Sequence, residues 1–106
     1  MLEVILDTET TGLSTAENHK IVEIGCVELD NQIATNNIFH AYINPQRPVS
    51  EEAYKIHGYS DKFLSDKKTF AEIAEDFLDF IIKNNFRGNS IKKNVKKVKE
   101  KILLNA

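Results

Sequence analysis

Apolar residues in the first half of the chain group into three runs, each typical of a β-strand. They cover residues 2–8, 19–30 and 38–43, are rich in β-branched, aliphatic or aromatic side chains, and are separated by polar or turn-forming residues. Strands that follow one another through short connections usually pair as neighbours. The pattern therefore predicts a three-stranded antiparallel meander that starts near the N-terminus.

Two helices are predicted after the third strand. Residues 50–58 predict a short helix that is closed by Gly58. Residues 69–72 have the sequence of a capping box. The apolar residues after Thr69 have helical spacing and predict a wide buried stripe, made of Phe70, Ile73, Ala74, Phe77, Leu78 and Ile81. Strands followed by helices indicate a mixed α/β layer fold.

A change in charge divides the chain after residue 82. Residues 1–82 hold six basic and fifteen acidic side chains, whereas residues 83–106 hold eight basic side chains and Glu100 as their one acid. Apolar residues at 91, 95, 98 and 102 give the second segment the spacing of a basic amphipathic helix. We therefore expect a folded part over 1–82 and a basic tail over 83–106. The tail either binds nucleic acid or has a different origin from residues 1–82.

Composition indicates one small globular domain. The chain has 106 residues, of which 42% are apolar and 28% charged, as in ordinary globular proteins. No apolar run approaches the roughly 20 residues of a membrane span, and the N-terminus lacks a signal-peptide pattern. The single cysteine, Cys26, lies in an apolar strand and has no partner for an internal disulfide. We therefore expect a cytoplasmic protein without a membrane partner.

The strongest chemical signal is the pair of carboxylates, Asp7 and Glu9, at the end of the first strand. Residues i and i+2 of a strand project from the same face. Like charges so close repel each other, and carboxylate oxygens suit hard divalent cations. An Asp-x-Glu triplet also arises by chance in a chain this acidic. Its position after a buried-type strand and before Thr10-Thr11-Gly12 is what favours a metal site.

Four blocks of sequence, in order, resemble the DEDD (DnaQ-like) superfamily of 3′→5′ exonucleases, and within it the proofreading epsilon subunits of bacterial DNA polymerase III. The blocks are residues 5–13, 20–25, 39–45 and 53–58. The similarity extends over residues 2–82. It implies an α/β fold of the RNase H-like type, here truncated to the three-stranded antiparallel meander plus helices.

The resemblance also implies a catalytic centre with two divalent ions, Mg²⁺ or Mn²⁺, held by four acidic residues. Asp7 and Glu9 match the first motif and would be both catalytic residues and metal ligands. The implied substrate is the single-stranded 3′ end of DNA, and the implied partner is the catalytic subunit of DNA polymerase III. Positions that contact the terminal nucleotide and its sugar are matched by Glu52, His57, Thr10 and Thr11. The simpler interpretations are a solvated helix carboxylate for Glu52 and a capping or loop histidine for His57.

The sequence departs from the family after residue 82. The family has a second motif, His-Asn-Ala-x-x-Asp, soon after the helix, and a final His-x-x-x-x-Asp much further along. Residues 83–106 contain neither His nor Asp, so the second motif and its strand are not expected here. Asp76 and Asp79 are no substitutes, because helical periodicity turns them to solvent.

Three functions fit these observations. The first is the N-terminal part of a proofreading exonuclease, interrupted by a frame shift or early stop and inactive alone, because the in-line metal clamp needs the missing acids. The second is a non-catalytic module, associated with the polymerase or binding nucleic acid through the basic tail. The third is an active nuclease that obtains its missing acids from a second chain.

Overall fold

A four-stranded sheet and three helices make up the part of the chain that the computed structural model describes, residues 1–13 and 18–93. In chain order the elements are β1 Leu2–Thr10, β2 Ile21–Asp30, β3 Ile33–Tyr42, α1 Glu51–His57, α2 Asp61–Leu64, α3 Phe70–Phe86 and β4 Ser90–Lys93. No helix in these ranges has the length and apolar content needed to cross a membrane.

The strands lie in the order β3-β2-β1-β4. The first three pair antiparallel, as predicted, whereas β4 lies parallel to β1. The absence of a strand after residue 82 was a wrong expectation. The sequence of β4 gave no sign of it, because a short parallel strand forms only where a distant strand offers its edge.

The main core lies between α3 and one face of the sheet. Its buried residues are Val4, Ile24, Cys26, Ile43 and Ile73. Burial raises the pKa of the Cys26 thiol to about 12, so this cysteine is an inert part of the core, as expected.

The stripe predicted along α3 is partly wrong. Leu78 is 56% exposed and Phe70 43% exposed. Phe77 faces the sheet as predicted, and Phe80, which lay outside the predicted stripe, faces it too; their ring centroids lie 5.6 and 5.8 Å from that of Phe39. The reason is that the sheet contacts a narrower strip of the helix surface than the apolar residues occupy. The face away from the sheet includes Asp76 and Asp79, which are exposed as predicted.

The predicted helix ends are confirmed. Ser50 accepts a hydrogen bond from the Ala53 N–H at 3.1 Å, and Gly58 ends α1 in the left-handed conformation with φ of 75°. At the start of α3, the Glu72 carboxylate accepts a hydrogen bond from the Thr69 N–H at 2.9 Å. The helix then continues to Phe86, past the boundary expected at residue 82.

The amphipathic helix predicted from residue 91 onward falls mostly outside the described residues. Its first three positions, 91–93, belong to β4 and are therefore extended rather than helical. Parallel pairing with β1 supplies backbone hydrogen bonds to this segment, whereas an isolated helix of this length is only marginally stable in water.

The turn between α3 and β4 is fixed to β2 by Glu28, which is 1% exposed. The Glu28 carboxylate accepts hydrogen bonds from the Arg87 guanidinium, with Nε and Nη2 each at 3.2 Å, and from the Asn89 amide at 2.9 Å. It also accepts them from Thr35 and Asn37 of β3. A carboxylate this buried is tolerated because donors surround it. Residues beyond 82 therefore belong to the folded unit.

These donors decide the ionisation of Glu28. Burial alone would raise its pKa, but the hydrogen bonds from Asn89, Arg87, Thr35 and Asn37 outweigh burial and lower the pKa from 4.5 to about 2. A carboxyl group whose pKa is lower in the folded state stabilises the protein above its unfolded pKa. That contribution is lost as the pH falls through the interval between the two values.

We expect Glu28→Gln to lower the free energy of unfolding at pH 7 by about 1–3 kcal/mol, because buried donors lose a charged acceptor. The difference from the unmodified protein should shrink as the pH falls from 4.5 towards 2. Urea unfolding at a series of pH values measures both effects. Glu75→Gln, at an exposed position of α3, is the matched control and should change stability by less than about 0.5 kcal/mol. A pH-independent difference for Glu28→Gln would contradict the assigned network.

Candidate functional site

Asp7 and Glu9 lie on the face of the sheet opposite α3. Asp7 pairs with Gly25 of β2 and Glu9 pairs with Glu23, and these residues alternate along β1 with those that pack against α3. Asp7 is 4% exposed and Glu9 is half-buried. The register with β2 shifts between Glu9 and Thr10, and irregularities of this kind end strand pairing and re-aim side chains. Both carboxylates therefore leave the strand on one face, at the place where its regular pairing ends.

The two threonines after the acids differ in their surroundings. Thr11 is fully buried, and its hydroxyl accepts a hydrogen bond from the Lys20 N–H at 3.0 Å and lies 2.9 Å from Nδ1 of His19. Thr10 is half-buried, and its hydroxyl donates to the Gly12 carbonyl at 2.7 Å. Thr11 thus fixes the path of the chain from inside the protein, and Thr10 is the more accessible of the two.

Helix α1 is attached to the same strand end at two points. The Ser50 N–H donates to the Thr11 carbonyl at 2.7 Å, just before the helix starts. At the last residue of the helix, Nε2 of His57 lies 3.0 Å from the Thr10 carbonyl. Glu52 lies between them, exposed on the first turn. The structure therefore brings His57 into contact with the end of β1 and places Glu52 on the exposed surface of the same helix.

A third acid, Glu23, lies directly across the ladder from Glu9 and is 5% exposed. Like charges in opposing positions destabilise a sheet. Here the Glu23 carboxylate accepts a hydrogen bond from the Tyr59 hydroxyl at 2.9 Å and lies 2.8 Å from Nε2 of His40. Burial, followed by the hydrogen bond and charge of Glu23, raises the pKa of Tyr59, which therefore remains a donor. These contacts stabilise the negative charge opposite Glu9.

Two further histidines contact the strands around the acids. His40 reaches from β3 to Glu23 of β2. His19 lies just before β2 and contacts Thr11. The spacing of apolar residues does not predict the contact between His19 and Thr11. That contact depends on how the two ends of the loop between β1 and β2 come together.

The described carboxylates do not by themselves make up a complete metal site. No group of three or more His, Cys, Asp or Glu side chains within residues 1–13 and 18–93 has the arrangement to hold a metal ion. Mg²⁺ takes six oxygen ligands and often keeps several waters while binding one or two carboxylates. Asp7 and Glu9 therefore fit one hydrated divalent cation, and they do not fit a complete two-ion centre.

Gly12 is required by its contact with His19. A Cβ atom placed on Gly12 would overlap the imidazole ring of His19. We expect Gly12→Ala to displace His19 from Thr11 and to lower the free energy of unfolding by about 1–3 kcal/mol, the usual effect of overpacking. The His19 ring signals in NMR spectra and urea unfolding test this.

Gly88→Ala is the control for this prediction. Gly88 has a positive φ of 83° and open space around its Cα. Alanine there should cost stability through backbone strain but leave the His19 signals unchanged. Unchanged His19 signals in Gly12→Ala would show that the ring is not packed against Gly12.

Comparisons with known proteins identify the family. The model of the exonuclease family RNase_T matches residues 4–101. The DNA polymerase III subunit epsilon of Rickettsia conorii is 57% identical over 79 residues, which cover 74% of this chain and 34% of that subunit. The Escherichia coli K12 subunit is 51% identical over 83 residues, with the same coverage. The chain spans about a third of the length of these curated relatives.

The fold is shared with solved exonucleases. The nuclease domain of 3'hExo, a DEDDh family member bound to rAMP, superposes with a TM-score of 0.69 at 18% identity, covering 96% of this chain and 56% of that one. Exonucleases of this family generally use divalent metal ions. The chain therefore belongs to the RNase_T exonuclease family, and it contains a partial RNase H-like domain similar to part of the DNA polymerase III epsilon subunits.

Proposed function

We propose that this chain represents the N-terminal part of a 3′→5′ proofreading exonuclease domain, and that alone it binds one divalent cation weakly without hydrolysing DNA. The observation that carries this proposal is the placement of Asp7 and Glu9 on one face of the sheet, at the bulged end of β1. Helix α1 is attached to the same strand end through Thr10 and Thr11. Acids and helix thus surround a place suited to the 3′ end of a nucleic acid.

The proposed roles follow from this placement. Asp7 and Glu9 would hold Mg²⁺ or Mn²⁺, which in the intact family binds as two ions. The positive charge of a bound ion supplies stabilisation for the oxygens around the scissile phosphorus atom. Glu52 is exposed and Thr10 half-buried, and both are proposed contacts of the terminal nucleotide. Thr11 would support that pocket from inside the fold.

The expected inactivity rests on the residues after α3. Positions 83–106 contain no Asp and no His, so the carboxylate of the second motif is missing. Clamping both the attacking and the leaving oxygen of the phosphodiester requires the full set of acidic ligands. Residues 83–106 also supply no histidine that could act as general base, and working without one costs a further factor of about 10²–10⁴.

Strand β4 indicates where the departure from the family begins. Its register places Lys93 opposite Leu6, so the chain runs towards Asp7 along β1. We propose that β4 takes the place of the strand that leads into the second motif. Asn84, Arg87 and Asn89 join one polar network with the buried Glu28, and the family match continues to residue 101. These facts favour placing any shift of reading frame after Asn89 rather than at residue 82.

By similarity to epsilon subunits, the proposed substrate is the single-stranded 3′ end of DNA, the proposed partner is the polymerase catalytic subunit, and the proposed location is the cytoplasm. The alternative of a nucleic-acid-binding module depends on the basic tail, whose residues 94–106 lie outside the described part of the chain. The nucleotide sequence after codon 89, read in three frames, distinguishes the two proposals. The second motif in another frame indicates a proofreading gene whose reading frame has shifted, and its absence from all three frames indicates a genuine basic tail.

We expect the purified chain to release no nucleotides from 3′-labelled single-stranded DNA in Mg²⁺ or Mn²⁺ above the level seen with Asp7→Ala. The matched control is Asp76→Asn, which changes an exposed acid on α3. Hydrolysis that Asp7→Ala abolishes and Asp76→Asn preserves would contradict the proposed inactivity. It would instead favour an active nuclease that obtains its missing acids from a second copy or another chain.

A further inference from the structure

We propose that His57 is a positioning residue. Together with Tyr59, Glu23 and His40 it forms a chain of hydrogen bonds that holds Glu9 in place from both sides. This inference rests on the function proposed above and adds to it a means of fixing the metal-binding end of β1. It assigns His57 a role different from the nucleotide contact that the family resemblance implies.

Both ring nitrogens of His57 are used by the backbone. The Tyr59 N–H lies 3.0 Å from Nδ1, and because an amide N–H donates, Nδ1 must accept. The Thr10 carbonyl lies 3.0 Å from Nε2, and because a carbonyl oxygen accepts, Nε2 must carry the hydrogen. The two bonds require the neutral tautomer with hydrogen on Nε2. Neither ring nitrogen then remains to recognise a nucleotide without breaking a bond to the backbone.

Tyr59 connects His57 to the sheet. Its N–H donates to the His57 ring, and its hydroxyl donates to Glu23 at 2.9 Å. The two rings stack with centroids 4.9 Å apart and planes inclined by 20°. One residue thus links the end of α1 to a buried carboxylate on β2, so movement of the helix end is coupled to the position of that carboxylate.

The connection ends beside Glu9. Glu23 pairs with Glu9 across the ladder, and His40 lies 2.8 Å from the other oxygen of the Glu23 carboxylate. Thr10, which His57 holds, is the next residue after Glu9 in the chain. Glu9 is therefore fixed along the chain through Thr10 and across the sheet through Glu23.

This arrangement matters because the register with β2 shifts immediately after Glu9. A strand end with irregular pairing has fewer backbone bonds to fix its conformation. A displacement of about 1 Å in a catalytic group can cost about 10²-fold in rate. Through His57, helix α1 supplies the support that the interrupted pairing between β1 and β2 does not supply.

The first test is the tautomer of His57 in the intact chain. A long-range ¹H–¹⁵N NMR spectrum should show a neutral ring with hydrogen on Nε2, and the same pattern should persist in Asp7→Ala and after addition of thymidine 5′-monophosphate with Mg²⁺. Hydrogen on Nδ1, or loss of the tautomer with hydrogen on Nε2 as the nucleotide is added, would overturn the proposal.

The second test compares three variants by amide hydrogen exchange and carbonyl ¹³C shifts. His57→Phe keeps an aromatic ring but removes both hydrogen bonds. It should speed exchange of the Tyr59 amide about tenfold, the effect of one ordinary hydrogen bond, and move the carbonyl ¹³C signal of Thr10. His57→Gln retains a side-chain N–H donor for Thr10 and should keep the Thr10 carbonyl signal without restoring protection at Tyr59. Tyr54→Phe, at an exposed position on α1, is the control and should change neither signal.

Unchanged exchange at Tyr59 together with an unchanged Thr10 carbonyl signal in His57→Phe would overturn the proposal. These readouts do not require metal or DNA. Failure of the proposed exonuclease function would appear as absence of cation binding at Asp7, with the His57 tautomer intact. Failure of the positioning role would appear in the tautomer and in amide exchange, with cation binding retained.

Discussion

Packing of alternate β1 residues against α3 is the constraint on which the rest of the structure depends. Val4 lies in the core between sheet and helix, and strand alternation then forces Asp7 and Glu9 onto the other face. A shift of β1 by one residue would bury the carboxylates against α3 and expose the apolar side chains. The same packing that stabilises the domain therefore determines where its acids emerge.

Two buried glutamates on β2 then fix the segments around β1, one on each face of the sheet. Glu23 is held by Tyr59 and His40 and ties the end of α1 to the acidic face. Glu28 is held by Arg87 and other donors and ties the end of α3 to the opposite face. Removing the partners of a buried carboxylate is costly, so each glutamate specifies the position of a distant segment as well as contributing to stability.

The sequence predicted the features that depend on local pattern. These include the meander, the ends of α1, the capping box of α3 and the common face of Asp7 and Glu9. Features that depend on distant contacts were missed. Neither β4 nor the networks around Glu23 and Glu28 leaves a periodic signal, because each joins residues far apart in the chain. The exposure of Leu78 depends on how much helix surface the sheet covers, which helical spacing does not encode.

We propose that Asp7 and Glu9 form one half of a divalent-cation site in a folded chain. A Mn²⁺ titration followed by NMR tests this proposal, because Mn²⁺ broadens the signals of nearby amides. We expect weak, EDTA-reversible broadening that is strongest at residues 7–12 and at the paired positions Glu23 and Gly25, and its loss in Asp7→Ala. Broadening centred elsewhere, or unchanged in Asp7→Ala, would contradict it.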